Sequence, residues 1–292
     1  MKKRKGIILA GGTGSRLFPI THALCKQLLP VYDKPMIYYP LTSLMLANIR
    51  DILIITKECD LDIFQNLLGD GKQFGINITY KIQTRPRGIA DALILGEEFL
   101  DNSPSALILG DNLFFGNNFV TQLENADKNE EITLFAYLVK DPERYGVVQF
   151  DNNKNIIDIE EKPTNPKTRF AITGIYFYDS SASEKAKSLK PSPRDELEIT
   201  DLNRIYLNEK NLKIELLGRG IAWLDTGTVD SLHEAGSYIR TVENRQGLKI
   251  GCPEEVAWRK GWIDSSKLKF LANSLLKSGY GEYLLDLMKN EL

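Results

Sequence analysis

The sequence predicts an α/β fold, a mostly parallel mixed sheet flanked by helices, followed by a C-terminal helical appendage. Three observations predict it. Short apolar runs, too brief for helices, alternate with helix-like segments through the first part of the chain. Two of those runs end directly on glycine, at Gly11-Gly12 and Gly110-Asp111. From Ser231 onward the pattern is helical almost to the end. Alternation of this kind implies parallel strands with helices on both faces, and ligands then collect beyond the carboxyl ends of the strands.

Each element follows from its residues. Gly6-Ile7-Ile8-Leu9-Ala10 suits a buried inner strand stopped by glycines. Pro35 stands near the start of a helix expected to reach Asn48, because proline is tolerated in the first turn. A strand over 52–55, a helix over 61–68, a strand over 76–82, a helix over 89–100 and a strand over 106–109 continue the repeat. Residues 133–139, 146–150, 156–160 and 170–178 read as further, partly antiparallel strands closing over that unit. Residues 1–250 are expected to form the main unit. Residues 251–292 form the appendage, whose helix begins on Pro253-Glu254-Glu255, with acidic side chains suited to a helix N-terminus. Its bulk of Trp258, Trp262, Phe270, Leu271, Leu275, Leu276, Tyr280, Tyr283 and Leu284 must pack on the main unit or on another subunit.

Composition bounds the function. With 292 residues, 42% hydrophobic and 26% charged, the chain can bury a substantial core. A formal net charge of -2 supplies no global basic field, so no nucleic-acid partner is expected and an anionic ligand must rest on local cations. The basic start Met1-Lys2-Lys3-Arg4-Lys5 leads into a five-residue apolar run, not a signal peptide, and no stretch approaches the ~18 apolar residues of a membrane span. Cys25, Cys59 and Cys252 lie far apart, and His22 and His233 are the only histidines, which excludes a Cys/His zinc site and a disulfide framework. A cytoplasmic setting is expected, with any metal held by carboxylates.

The loop after the first strand matches neither familiar phosphate loop. A dinucleotide fingerprint starting at Gly12 would need a third glycine where Leu17 stands, and Pro19 interrupts the expected helix. The Gly-Lys-Ser/Thr end of a Walker loop is missing between Gly11 and Thr21. Gly11, Gly12 and Gly14 nevertheless let backbone N–H groups approach a polyphosphate, and Arg16 adds a positive fork. The alternative is an ordinary tight turn.

Asp111 and Asp225 each follow a strand in a glycine-adjacent context, and two carboxylates meeting from separate strands suit Mg²⁺, with substrate oxygens completing its shell. Each alone reads equally as a turn or cap aspartate. Lys26 and Lys162, the latter at a strand tip ended by Pro163, are cationic candidates that singly read as surface lysines. With Arg16 and Arg194 they describe a site for two phosphate-bearing substrates.

Six stretches in order carry a resemblance: Leu9-Ala10-Gly11-Gly12-Thr13-Gly14-Ser15-Arg16-Leu17, Lys26-Gln27-Leu28-Leu29-Pro30, Asp33-Lys34-Pro35-Met36-Ile37, Gly110-Asp111-Asn112, Glu161-Lys162-Pro163 and Trp223-Leu224-Asp225-Thr226-Gly227. Together they resemble the sugar-1-phosphate nucleotidylyltransferases over essentially the whole chain. Within that family they are similar to the branch that turns dTTP and glucose 1-phosphate into dTDP-glucose, a precursor of deoxysugars. The resemblance implies a Rossmann-like fold of the nucleotide-diphospho-sugar transferase type. It also implies in-line attack of the sugar phosphate on the α-phosphorus, with pyrophosphate leaving.

By that resemblance Arg16 and Lys26 hold the triphosphate on the loop Gly11, Gly12, Thr13, Gly14, Ser15, with Gln27 and Asn112 beside it. Mg²⁺ sits on Asp111 and Asp225, and Lys162 with Arg194 grips the sugar phosphate. The base meets Gln83, Pro86 and Gly88, and the sugar meets Gly146, Glu161, Ile172, Thr173 and Trp223. Three positions depart from the family pattern: Arg87 stands where an acid is expected, Asp91 where glutamine is, and Asp195 where glycine is. The resemblance further implies a homotetramer inhibited by a dTDP-deoxysugar at Phe115, Gly116, Arg219, Cys252, Glu255 and Arg259. A uridylyltransferase stays open as an alternative, and so does a silent sugar-nucleotide sensor, although the latter predicts loss of a metal carboxylate or phosphate cation and all of these are present.

Overall fold

Alternate residues of the first strand face opposite ways, and everything else is arranged around that fact. In this computed structural model, which describes residues 2–129 and 131–289, β1 (Lys5–Leu9) sends Ile8 into one apolar cluster and Ile7 into another. Both are fully buried, each contributing about 2 kcal/mol of transfer free energy. A strand buried on both faces needs an unbroken apolar run, which is what 6–10 supplies.

After β1 come a small hairpin, β2 (Pro30–Val31) and β3 (Lys34–Pro35), then α1 (Tyr38–Leu46), β4 (Asp51–Thr56), α2 (Leu61–Leu68) and β5 (Asn77–Ile82). Next are α3 (Asp91–Leu95), α4 (Glu97–Leu100), β6 (Ser105–Leu109), β7 (Asn112–Gly116), α5 (Phe119–Lys128) and β8 (Ile132–Leu138). Then follow β9 (Gly146–Phe150), β10 (Ile156–Glu161), β11 (Phe170–Tyr178), α6 (Ala182–Lys187), α7 (Ile199–Asn208), β12 (Leu212–Leu217) and β13 (Ile221–Asp225). The chain closes with α8 (Val229–Gln246), α9 (Pro253–Arg259), α10 (Ser265–Ser274) and α11 (Tyr280–Lys289).

The main sheet runs β10-β9-β11-β6-β1-β4-β5, with β8 and β12 branching from β11. Strands β6, β1, β4 and β5 are parallel, whereas β11 is antiparallel to β6, so the sheet is mixed. Beyond the carboxyl ends of β1 and β6, the ribbon β7-β13 stands apart from the sheet.

Several boundaries depart from the sequence expectation. Residues Lys34 and Pro35 pair with the strand Pro30–Val31, so α1 starts only at Tyr38. The helix expected over 89–100 is two short helices meeting at Gly96, where a Cβ would lie 2.7 Å from Ile7 Cδ1. The appendage is three helices, with Pro253 in the first turn of α9. Tyr280 and Leu284 join the same core as Leu44 and Ile54, and Trp258, Trp262, Leu271, Leu275 and Tyr283 pack against it. Phe270 and Leu276 are exposed on this single chain. Met1 and the last three residues of the expected appendage lie outside the described residues. Among described residues no helix is long and apolar enough to cross a membrane.

Candidate active site

The ladder between β7 and β13 sets Asn112 opposite Asp225 and so brings two distant sequence motifs together. Thr226 ties them further, its N–H and hydroxyl donating to the Asp111 carbonyl at 3.3 and 2.9 Å. Asn112, almost wholly buried, donates through Nδ2 to Asp111 Oδ1 at 2.9 Å, while its Oδ1 accepts from Trp223 Nε1 at 2.6 Å and from the Gly174 N–H at 3.2 Å. The asparagine oxygen is therefore saturated, and one amide N–H orients Asp111.

Across the cleft the loop after β1 holds its shape by two local devices. Gly14, at φ 64°, starts a tight turn over Ser15–Leu17, a left-handed conformation that favours glycine, and Thr21 Oγ1 donates to its carbonyl at 2.7 Å. Lys26, buried, forms an ion pair with Asp111. Arg16 arrives over Gly227, where an added Cβ would lie 3.3 Å from Arg16 Nη2 and 3.2 Å from Asp225 Oδ2.

Two hollows result, sharing Arg16 and Asp111. One is walled by the loop Gly12, Thr13, Gly14 and Ser15 together with Lys26, Gln27 and Gly227. The other is lined by Asp225, Gly146, Glu161, Lys162, Ile172, Gly174 and Trp223, with Asn112 at its back. Arg144 and Tyr145 also line it, and sequence reasoning missed both: Arg144 Nη2 lies 3.4 Å from Asp225 Oδ2, and the Tyr145 ring stacks obliquely on Trp223 at 5.0 Å. Their signal, an Arg-Tyr pair just before a strand glycine, has no meaning until Asp225 is placed nearby. Thr200 was missed likewise, and it donates to Glu161 Oε2 at 2.5 Å.

Electrostatics separates the two carboxylates. Burial pushes Asp111 up, but the Lys26 ammonium and the Asn112 amide outweigh it and hold the group below its usual value. Asp225 is pushed up by burial first and by the Asp111 charge second, and Lys26, Arg144 and Arg16 offset this only in part. The pair is thus short of positive charge. Lys162 stands just past the end of β10 with φ 42°, its Nζ 3.8 Å from Glu161 Oε1.

Not every predicted residue converges. Arg194 is outside the lining, donating to Glu198 at 2.8 Å and to Glu161 at 3.2 Å, so it steadies Glu161 from behind. Thr173 is fully buried with an unpaired Oγ1 and points away from the lining, while its neighbours Ile172 and Gly174 reach it. Gln27 is buried and accepts from Cys25 Sγ at 2.9 Å. Gln83 lies beyond the two hollows, its Oε1 pressed against Gly11, where a Cβ would stand 2.4 Å away. Gly88, at φ 97°, packs on the Leu197 backbone, and Pro86 is exposed beside it. Asp195 adopts a left-handed φ of 59°, a conformation for which the glycine of the family pattern is better suited.

A third hollow lies on the opposite side of α1, between β7 and α9. Phe115, Gly116, Cys252, Glu255 and Arg259 line it, joined by Tyr39, Lys249 and Lys260. Arg219 does not, although the next residue, Gly220, sets its carbonyl against Gly116.

Residues 5–242 match the nucleotidyl transferase family. The chain belongs to that family. Among relatives of this nucleotidyl transferase, the glucose-1-phosphate thymidylyltransferase of Xanthomonas campestris pv. campestris (strain B100) is 58% identical over 290 residues, covering 99% of this chain and 98% of the relative. The enzyme of the same description from Mycobacterium tuberculosis (strain CDC 1551 / Oshkosh) is 52% identical over 285 residues, covering 98% and 99%. A Bacillus anthracis structure assigned as a glucose-1-phosphate thymidylyltransferase, in complex with sucrose, is 45% identical with a TM-score of 0.75, covering 81% of this chain and 95% of that one. UDP-glucose pyrophosphorylase complexed with UDP-glucose, at 23% identity and a TM-score of 0.73 over 82% of this nucleotidyl transferase and 100% of its own chain, shares the fold.

Proposed function

We propose that this nucleotidyl transferase joins dTTP and glucose 1-phosphate to give dTDP-glucose and pyrophosphate. The observation that carries the reading is the pair of adjoining hollows sharing Arg16 and Asp111, one walled by a glycine loop and the other by Glu161, Lys162 and Trp223. Relatives of that activity at 52–58% identity support the choice of substrates.

The difficulty of the reaction is charge. Two unit negative charges 4 Å apart repel by about 4 kcal/mol even at an effective dielectric of about 20, and here two polyanions must meet. Arg16 and Lys26 receive the triphosphate above the loop, and Lys162 draws in the sugar phosphate. A phosphate oxygen is already an anionic nucleophile, so no side chain needs to remove a proton; the protein positions the two groups in line and stabilises the charge that builds on the leaving pyrophosphate. Glu161, held by Thr200, accepts from sugar hydroxyls.

Asp111 and Asp225 fit a divalent cation, since both are hard oxygen donors and Asp225 is left short of positive charge. Among described residues no third His, Cys, Asp or Glu joins them, so a bound cation would draw its remaining ligands from water and substrate oxygens. Mg²⁺ bound there supplies Lewis-acid stabilisation of phosphate charge.

Pyrophosphate release with Mg²⁺ and glucose 1-phosphate tests the reading. It is expected to be faster with dTTP than with UTP at equal concentration; the reverse order makes the chain a uridylyltransferase, and no release with either removes the activity.

A second reading concerns regulation. The hollow beyond α1 gathers five of the six positions expected to bind a dTDP-deoxysugar, with Lys249, Arg259 and Lys260 able to face a diphosphate. It supports feedback inhibition away from the chemistry, and the tetrameric assembly rests on the family resemblance alone.

A further inference from the structure

The two departures Arg87 and Asp91 face each other. Arg87 Nε lies 3.6 Å from Asp91 Oδ1, four residues on and at the start of α3. The other oxygen, Asp91 Oδ2, accepts from Gln83 Nε2 at 3.1 Å. Asp91 and Gln83 are both buried, at 4% and 6% exposure, while Arg87 is open to solvent. A carboxylate paired with a guanidinium can only accept hydrogen bonds, so the amide atom facing it has to be the donor. Gln83 Oε1 is thereby turned the other way, against Gly11. Among described residues no hydrogen bond ends on that oxygen, and it is not fully buried, so its lone pairs stay open beside Gly11 of the glycine loop. With glutamine at position 91, which can donate or accept, the Gln83 amide would be free to present either end.

We propose that Asp91 is the positioning residue that fixes Gln83 as an acceptor toward the base, so that the site selects bases carrying an N–H at ring position 3 and rejects cytosine. Thymine and uracil offer that N–H to Oε1. Cytosine offers a lone pair at the same position, which Oε1 repels. Arg87 pairs with the Asp91 oxygen that Gln83 does not use, so the two contacts divide the carboxylate between them. This deepens the thymidylyl-transfer reading, resting on its placement of the base at Gln83.

Competition between triphosphates tests it, with kcat/KM measured for dTTP, UTP and dCTP on wild type and on Asp91→Asn, Asp91→Glu and Gln83→Leu. Asp91→Asn lets the Gln83 amide flip and is expected to narrow the dTTP/dCTP ratio roughly tenfold, the usual consequence of mispairing one buried hydrogen bond. The dTTP/UTP ratio should stay within about twofold, since both bases present the same N–H. Asp91→Glu, still an acceptor, is expected to restore the ratio. A purely structural role for Asp91 would lower all three substrates alike and leave both ratios unmoved, and that result overturns the proposal. If Gln83→Leu also leaves dTTP/dCTP unchanged, the placement of the base at Gln83 is what fails. If Gln83→Leu narrows the ratio and Asp91→Asn does not, the base reading stands and the role of Asp91 falls.

Discussion

Two clusters of acids and bases are buried in this protein, and they are built on opposite plans. In the first, Lys34 and Lys249 meet Asp33 and Glu243, joining the hairpin β2-β3 to the end of α8. Lys34 Nζ lies 2.5 Å from Asp33 and 2.9 Å from Glu243; Lys249 also pairs with Asp33 and lies 3.4 Å from Glu243. Glu243 further accepts from the Ile250 N–H at 2.8 Å. Burial works against the Asp33 charge, and the two lysines still hold that carboxyl below its usual value. Every charge has its partner within the chain. In the second cluster Asp111 takes up Lys26, while Asp225 is left with a single arginine contact at 3.4 Å and a like-charged neighbour. A saturated network holds chain segments together. An unsaturated one leaves bonding capacity to be completed by a ligand, and pockets lined by unbalanced charge are where function is expected.

The sharpest way to break this comparison is Asp225→Asn. Turnover is expected to fall about a thousandfold, equivalent to about 4 kcal/mol of transition-state stabilisation, because one of two metal carboxylates loses its charge. Thermal stability without ligands should hold or rise, since a neutral isostere removes repulsion from Asp111. Full activity at low Mg²⁺, or a large loss of stability, would put Asp225 with the structural cluster instead.

Glu243→Ala is the mirror experiment. It strands the buried Lys34 ammonium and the Ile250 N–H, and denaturant unfolding is expected to lose about 3 kcal/mol. The folded fraction should keep near wild-type kcat, because no atom of this cluster lines either catalytic hollow. A variant of undiminished stability, or one that is folded but inactive, would contradict the division.

Arg259→Ala sharpens the comparison at the third hollow, where Arg259 donates to Glu255 at 2.8 Å. Inhibition by a dTDP-deoxysugar is expected to weaken about tenfold while uninhibited turnover is spared, within the usual range of coupling between two sites. Inhibition relieved entirely by dTTP, with the variant behaving like wild type, would assign the inhibitor to the active site.

Much of this was legible in the residues. The apolar run after Lys5 and the strand over 170–178 could be read because strands buried on both faces carry nearly continuous apolar residues, and the helix over 61–68 because Phe64 and Leu68 recur one turn apart on its buried face. The glycine loop, Arg16, Lys26, Asp111 and Asp225 stood out only as a set, since each alone reads as a turn, cap or surface residue and the six ordered stretches join them. The small hairpin β2-β3, the break at Gly96, the strand Leu212–Leu217 and the helix Ile199–Asn208 were not foreseen. Gly96 depends on Ile7 and β12 on its parallel register with β8, partners far along the chain, whereas the two-residue strands of the β2-β3 hairpin are too short to show a strand period.

The sequence by itself determined the alternation of elements, the identity of the charged groups and their order along the chain, because periodicity and residue chemistry are local properties. Only the tertiary structure decided that Arg144 joins Asp225, that Arg194 stands behind Glu161, and that Arg87 and Asp91 turn the Gln83 amide. Those outcomes are distances between side chains carried by different elements. Such distances follow from strand register and helix packing, which no local pattern contains.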